Sequence, residues 1–168
     1  MPHTLRYSLA DPIIAHLNTV VLTVSDPFIT SRFIGLVSIS AVTVYELCIK
    51  DIFGRFSHSK HKVFGVFVNS YFYRLNGRIK LSNIKEDYLP KFGDVYVKRF
   101  TKNLEVAEKI SLRNTGKSIL SSYGNIIQWR HQFAHEGIIP STVTYTEAVD
   151  SYQLGKEVIR ILAESMKR

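Results

Sequence analysis

Along most of the chain, apolar residues return every three or four positions, the spacing that lines one side of an α-helix. The first run follows Asp11-Pro12, an acid at a capping position and a proline suited to a first helical turn. It takes in Ile13, Ile14, Leu17, Val20, Val21 and Val24 and ends near Asp26-Pro27. A longer run from about Ser31 to Phe53 carries Leu36, Ile39, Val42, Val44 and Leu47, with Gly54 as its expected stop. Its β-branched residues would suit a strand, but its length and polar spacing predict a helix. The basic stretch RFSHSKHK opens a third helix, VFGVFVNSYFYRLNGRIK, which the turn pair Asn76-Gly77 ends.

A less regular region runs through Leu89-Pro90, followed by a helix over about Val95–Ile110. After the break Arg113-Asn114-Thr115-Gly116-Lys117, a helix is expected over about Ser118–Glu136. Its apolar stripe is Ile119, Leu120, Tyr123, Ile126, Ile127 and Phe133, and Gly137 is its stop. Ile138-Ile139-Pro140-Ser141 form a connector, and Thr146 is the expected cap of a final helix, EAVDSYQLGKEVIRILAESM. There are no repeats, low-complexity segments or linkers. The pattern predicts a single all-α domain over residues 1–168, a bundle of about five to seven helices.

Composition changes this picture mainly through charge. The chain has 22 Lys and Arg against 14 Asp and Glu, a formal charge of +8. The pI is about 9.6. That excess favours phosphate polyanions or an acidic partner, nucleic acid ahead of protein. Cys48 is the one cysteine; it excludes an internal disulfide, leaves no cysteine cluster for zinc, and reads as a small core residue. The uncharged runs at 12–25 and 33–45 are shorter than the roughly 18–20 residues of a membrane span. Arg6 and the apolar stretch after it resemble a signal peptide only faintly, since His16 and Asn18 interrupt the stretch and no A-x-A site follows. The expected location is the cytoplasm, with no membrane association.

One short segment concentrates candidate chemistry. Gln128 to Gly137 reads QWRHQFAHEG and holds two of the six histidines beside an arginine. His131 and His135 are four apart and share a helix face, as in H-E-x-x-H, but the base position of that motif is Gln132 and no third ligand stands nearby. An ordinary solvated helix face is a second reading. The third pairs Arg130 with His135. On an ideal helix five residues turn through about 140°, so this pair does not stack within one helix. It can converge where the helix loosens, or across two subunits.

The R-x4-H spacing of Arg130 and His135 resembles the signature of the HEPN superfamily, all-helical proteins that include many metal-independent ribonucleases. The context matches as well: His135 stands just before a helix-ending Gly137, and a Pro-Ser connector leads into a long last helix. Ala41-Val42-Thr43-Val44-Tyr45-Glu46 is similar to the Glu-containing helix of the RiboL-PSP branch. The resemblance covers roughly 12–168 in outline and about twenty residues near 130–140 in motif. It implies a homodimer with a composite site, catalytic Arg130 and His135, RNA as substrate, and no metal or other cofactor. The products would be a 2′,3′-cyclic phosphate and a 5′-OH, and the role that of a toxin or antiviral effector restrained by an antitoxin or sensor protein. Gly137 occupies the place where some HEPN toxins carry a tyrosine open to nucleotidyl modification, so that control is excluded here. His131 stands where Asn is more usual.

Other residues receive supporting assignments. Glu46, an acid in an apolar helix, should have a cationic partner, with Arg130 or His131 as candidates. His131 could contact phosphate or orient His135. Arg55, Lys60, Lys62, Arg74, Arg78, Lys80, Lys98, Arg99 and Lys102 could follow an RNA backbone. Trp129 and the tyrosines at 71 and 73 could stack bases, although core or dimer packing fits them better. The alternative to an enzyme is a non-catalytic HEPN-like module that binds RNA or a protein.

Overall fold

The computed structural model describes residues 3–138 and 142–167, and among these every regular element is helical. A 3-10 turn at His3–Leu9 leads into α1 (Asp11–Val20), and α2 follows at Pro27–Lys60. Next come α3 (Lys62–Phe72), a π-helical turn at Asn83–Tyr88 and a 3-10 turn at Leu89–Phe92. The last three helices are α4 (Asp94–Thr115), α5 (Ile119–Glu136) and α6 (Tyr145–Ser165). The expected all-α bundle is therefore what the chain forms. Residues 139–141 of the anticipated connector lie outside the described residues.

The centre of the bundle is α2, about 51 Å long for its 34 residues. Asp26 caps it, its carboxylate accepting from the Phe28 N–H at 2.8 Å, and Pro27 fills the first helical position. Packed along it are α3, α5 and α6, with α4 on α6. By length and composition α2 could cross a membrane, beyond what the short uncharged runs suggested. However, 56% of its most apolar window is buried within the bundle.

Several boundaries differ from the sequence expectation, each for a tertiary reason. Gly54 does not end α2. It is buried two turns before the helix stops, and a Cβ there would stand 2.5 Å from Asn69 Oδ1 of α3. The glycine admits α3 rather than breaking α2. α3 itself stops at Phe72, ahead of the turn at Asn76 and Gly77, whose φ angles are +47° and +75°. α6 is capped by Thr144, not Thr146, with the hydroxyl accepting from the Glu147 N–H at 3.1 Å. Asp11 lies in the first turn of α1, and its carboxylate is taken up by the Tyr152 hydroxyl and the Lys156 ammonium at 2.7 and 2.8 Å. These bonds tie α1 to α6.

Five tyrosines, Tyr45, Tyr88, Tyr123, Tyr145 and Tyr152, are buried among the described residues. Tyr45 of α2 stacks between Tyr123 of α5 and Tyr152 of α6, at ring-centroid distances of 5.5 and 5.9 Å. Its hydroxyl donates to the Tyr152 carbonyl. Aromatic rings need their polar ends satisfied when buried, and Tyr123 meets this need by donating to the Ile79 carbonyl at 2.7 Å. A second aromatic cluster of Phe53, Phe72, Tyr88 and Phe92 fills the space between α2, α3 and the irregular turns. Cys48 is fully buried, as expected, and burial pushes its thiol up to about 12, out of the range of a nucleophile.

Candidate active site on helix α5

Local signals start and stop α5. Ser118 accepts from the Ser121 N–H at 3.0 Å, and Glu108 of α4 accepts from the Ile119 and Leu120 N–H groups at 2.8 and 3.1 Å. Two otherwise open donors of the first turn are thereby satisfied. At the other end Gly137 adopts φ +67°, the left-handed cap conformation, and its N–H donates to the Phe133 carbonyl at 3.1 Å. The Gly137 carbonyl accepts from Arg32 of α2 at 2.7 Å. The Arg32 guanidinium lies over the rings of Phe28 and Phe133, 4.5 and 5.7 Å from their centroids. The ring of Phe133 in turn covers Gly35, where a Cβ would meet it at 2.4 Å. The C-terminal end of α5 is thus pinned to the first turns of α2, where Arg32 had not been singled out from sequence.

Arg130 and His135 leave α5 on different sides. Arg130, half-buried, lines a depression of about 410 Å³ with Thr43, Glu46, Leu47 and Asn76. Its guanidinium rests over the turn at Gly77, where a Cβ would lie 3.5–3.6 Å from its nitrogens and central carbon. Among the described residues it has no ion-pair partner. The turn beneath it is held from three directions. Glu46 accepts from the Gly77 N–H at 2.6 Å, Tyr88 donates to the Arg78 carbonyl at 2.6 Å, and Tyr123 donates to the Ile79 carbonyl.

Glu46 has its expected cation, but a different one. Lys50, one turn along α2, donates to Oε1 at 2.7 Å, while Oε2 takes the Gly77 N–H. Neither Arg130 nor His131 pairs with it, because Lys50 is the nearer i,i+4 neighbour on the same helix. Both carboxylate oxygens therefore have partners of their own, and Arg130 bonds to neither. Asn76 and Thr43, which line the same depression, were missed from sequence because only the tertiary fold brings the turn under α5.

His135 is exposed in the last turn of α5, as is His131 one turn earlier, and their rings lie 4.7 Å apart. Trp129, the single tryptophan, is buried. Of the aromatic residues in α3 and after it, Phe72 is core, while Tyr71 and Tyr73 are exposed.

The basic residues do not form one stripe. Arg74, Arg78 and Lys80 are exposed on either side of the turn below Arg130. Lys60 lies about 21 Å further along α2 than Glu46, its ammonium over the ring of Phe56. With Arg55, Lys60 borders a separate depression of about 570 Å³ near the end of α6. Lys62, Lys98 and Lys102 are exposed. Arg99 is engaged structurally, donating to the carbonyls of Ser165 and Lys167 at the end of α6.

A family model, RiboL-PSP-HEPN, matches residues 6–168, nearly the whole chain. The chain belongs to the RiboL-PSP-HEPN family. No curated protein and no solved structure matches it. In this RiboL-PSP-HEPN domain, Arg130 has no ion-pair partner among the described residues and lies over a turn held by three hydrogen bonds, with the exposed His135 about one turn and a half further along the same helix.

Proposed function

We propose that this RiboL-PSP-HEPN protein is a metal-independent endoribonuclease. The observation that carries the reading is the unpaired guanidinium of Arg130 in an open depression, with Glu46 already paired to Lys50 and hydrogen-bonded by the Gly77 N–H. An anion entering there meets a fixed donor fork without displacing an existing partner, which suits a scissile phosphate. The ribose 2′-oxygen attacks phosphorus, and the bond from phosphorus to the 5′-oxygen breaks. An imidazole removes the 2′-OH proton, and a protonated imidazole supplies one to the leaving oxygen. The products are a 2′,3′-cyclic phosphate and a 5′-OH end, and DNA, which lacks the 2′-OH, is not cut.

Within one chain Arg130 and His135 diverge by about 140° around the helix axis. The pair closes across a two-fold dimer, the arginine of one copy meeting the histidine of the other. Such an activity would damage the cell that makes it, so a toxin or antiviral effector, restrained by an antitoxin or sensor protein, fits the reading. The test is incubation of purified protein and His135→Ala with structured RNA in EDTA, with the end groups of the products analysed. Cleavage by wild type alone supports the enzyme, and no cleavage by either protein across several RNAs rejects it.

One observation favours a second reading, a protein-binding module. The outer side of α3 shows Val63, Val66, Phe67 and Tyr71 to solvent. Exposed valines have nothing to offer a nucleic acid but suit an apolar protein contact.

A further inference from the structure

His131 and His135 have no hydrogen-bond partner among the described residues and hold their rings 4.7 Å apart, tilted by 53°, on the solvent side of α5. Two imidazoles at i and i+4 on a rigid helix can present a nitrogen each to one ion, as the paired histidines of helical zinc sites do. Two features here go beyond the spacing. The helix is fixed at this end by the Gly137 cap and the Arg32 bond, so little order must be gained on binding. The pair also sits at the carbonyl end of α5, where the helix dipole favours positive charge. Among the described residues no third His, Cys, Asp or Glu joins them, so water would complete the coordination.

We propose that His131 and His135 form a two-point clamp for a borderline transition-metal ion of the Zn²⁺ class, and that occupancy switches the protein off. The clamp itself stands on this geometry alone; its regulatory effect rests on the ribonuclease reading above. A metal takes the ring lone pair that proton transfer requires, so a coordinated His135 can neither accept the 2′-OH proton nor return it. Imidazole suits Zn²⁺, whereas Mg²⁺ prefers oxygen ligands and is not held. His131 thereby receives a role as the second ligand rather than a contact to phosphate.

The experiment follows thermal unfolding of the full chain with ZnCl₂ or MgCl₂, for wild type, His131→Ala and His135→Ala, together with RNA cleavage by wild type and His131→Ala. Zn²⁺ should raise the midpoint of wild type and of neither variant, and Mg²⁺ should leave all three unchanged. Both substitutions are at exposed positions, and their metal-free midpoints establish that they fold. Zn²⁺ should slow cleavage by wild type at least tenfold, while the rate of His131→Ala with and without Zn²⁺ should agree within about twofold. Equal midpoint shifts in wild type and both variants would overturn the clamp. A clamp that forms without slowing cleavage would overturn the switch. If no RNA is cut with or without metal, the ribonuclease reading fails, and the unfolding data still decide the clamp.

Discussion

The ring of Phe133 on α5 occupies the space that a side chain at Gly35 of α2 would need, a Cβ there lying 2.4 Å from it. This contact sets the distance between the helix that carries Arg130 and His135 and the helix that carries Glu46. Ala at position 35 would gain up to about 1 kcal/mol of helix propensity. Overpacking against a ring held by Arg32 costs about 1–3 kcal/mol, so the collision wins. Gly35→Ala should lower the thermal midpoint by several degrees. Adding Phe133→Ala should cost less than the sum of the two single changes, since the collision is then gone.

Glu46 links α2 to the turn under Arg130. Glu46→Ala leaves the Gly77 N–H without its acceptor and Lys50 without its pair, costing about 1–3 kcal/mol. Glu46→Gln keeps an acceptor for Gly77 and should recover much of the loss. Denaturant unfolding of the three proteins checks this ordering, and an equally stable Glu46→Ala would mean that the turn is held by Tyr88 and Tyr123 alone.

Arg130→Ala and His135→Ala should each reduce RNA cleavage by at least about a hundredfold while leaving the fold intact, since neither side chain is in the core. Arg130→Lys should rescue little, because a point charge cannot reproduce a bidentate fork.

A site shared between subunits makes a sharper prediction. Chains carrying Arg130→Ala, unfolded and refolded together with chains carrying His135→Ala, should regain about a quarter of wild-type activity. Half of the dimers are then mixed, and each mixed dimer has one intact arginine–histidine pair. A site contained within one chain would show no recovery.

Stability should fall steeply in alkali. Burial raises the thiol of Cys48 and the phenol of Tyr88 to about 12, and pushes Tyr7, Tyr45, Tyr123 and Tyr152 well above the ordinary phenol range. Each group keeps its proton in the folded chain and releases it on unfolding. The unfolded state therefore binds fewer protons, and stability decreases as pH rises. The full contribution is present below about pH 9 and is lost from there through about pH 12. Denaturant midpoints from neutral to alkaline pH, with Cys48→Ser as a comparison, follow this loss.

The elements most legible in the sequence were those governed by neighbours along the chain. Ser118 and Gly137 bracket α5 because capping depends on a few adjacent residues, and the stripe of Tyr123, Ile126 and Ile127 marks its buried side. The extent of α2 was misread because Gly54 looks like a stop, while its purpose is the approach of Asn69 from α3. The same applies to Glu46. An acid in an apolar helix announces a partner, but choosing Lys50 and the Gly77 N–H over Arg130 requires the turn in its folded place. Arg32 gave no signal, since its bond to the Gly137 carbonyl spans more than a hundred residues.

Trp129 is the chain's single tryptophan and is buried on the residue next to Arg130. Excited beyond the red edge of tyrosine absorption, the whole emission of the protein comes from that one indole. It offers a built-in optical gauge on α5, needing no label. The three proposed events, RNA docking at Arg130, pairing of two copies through α5 and metal capture at the histidines, would each be sought in the emission of the unmodified molecule.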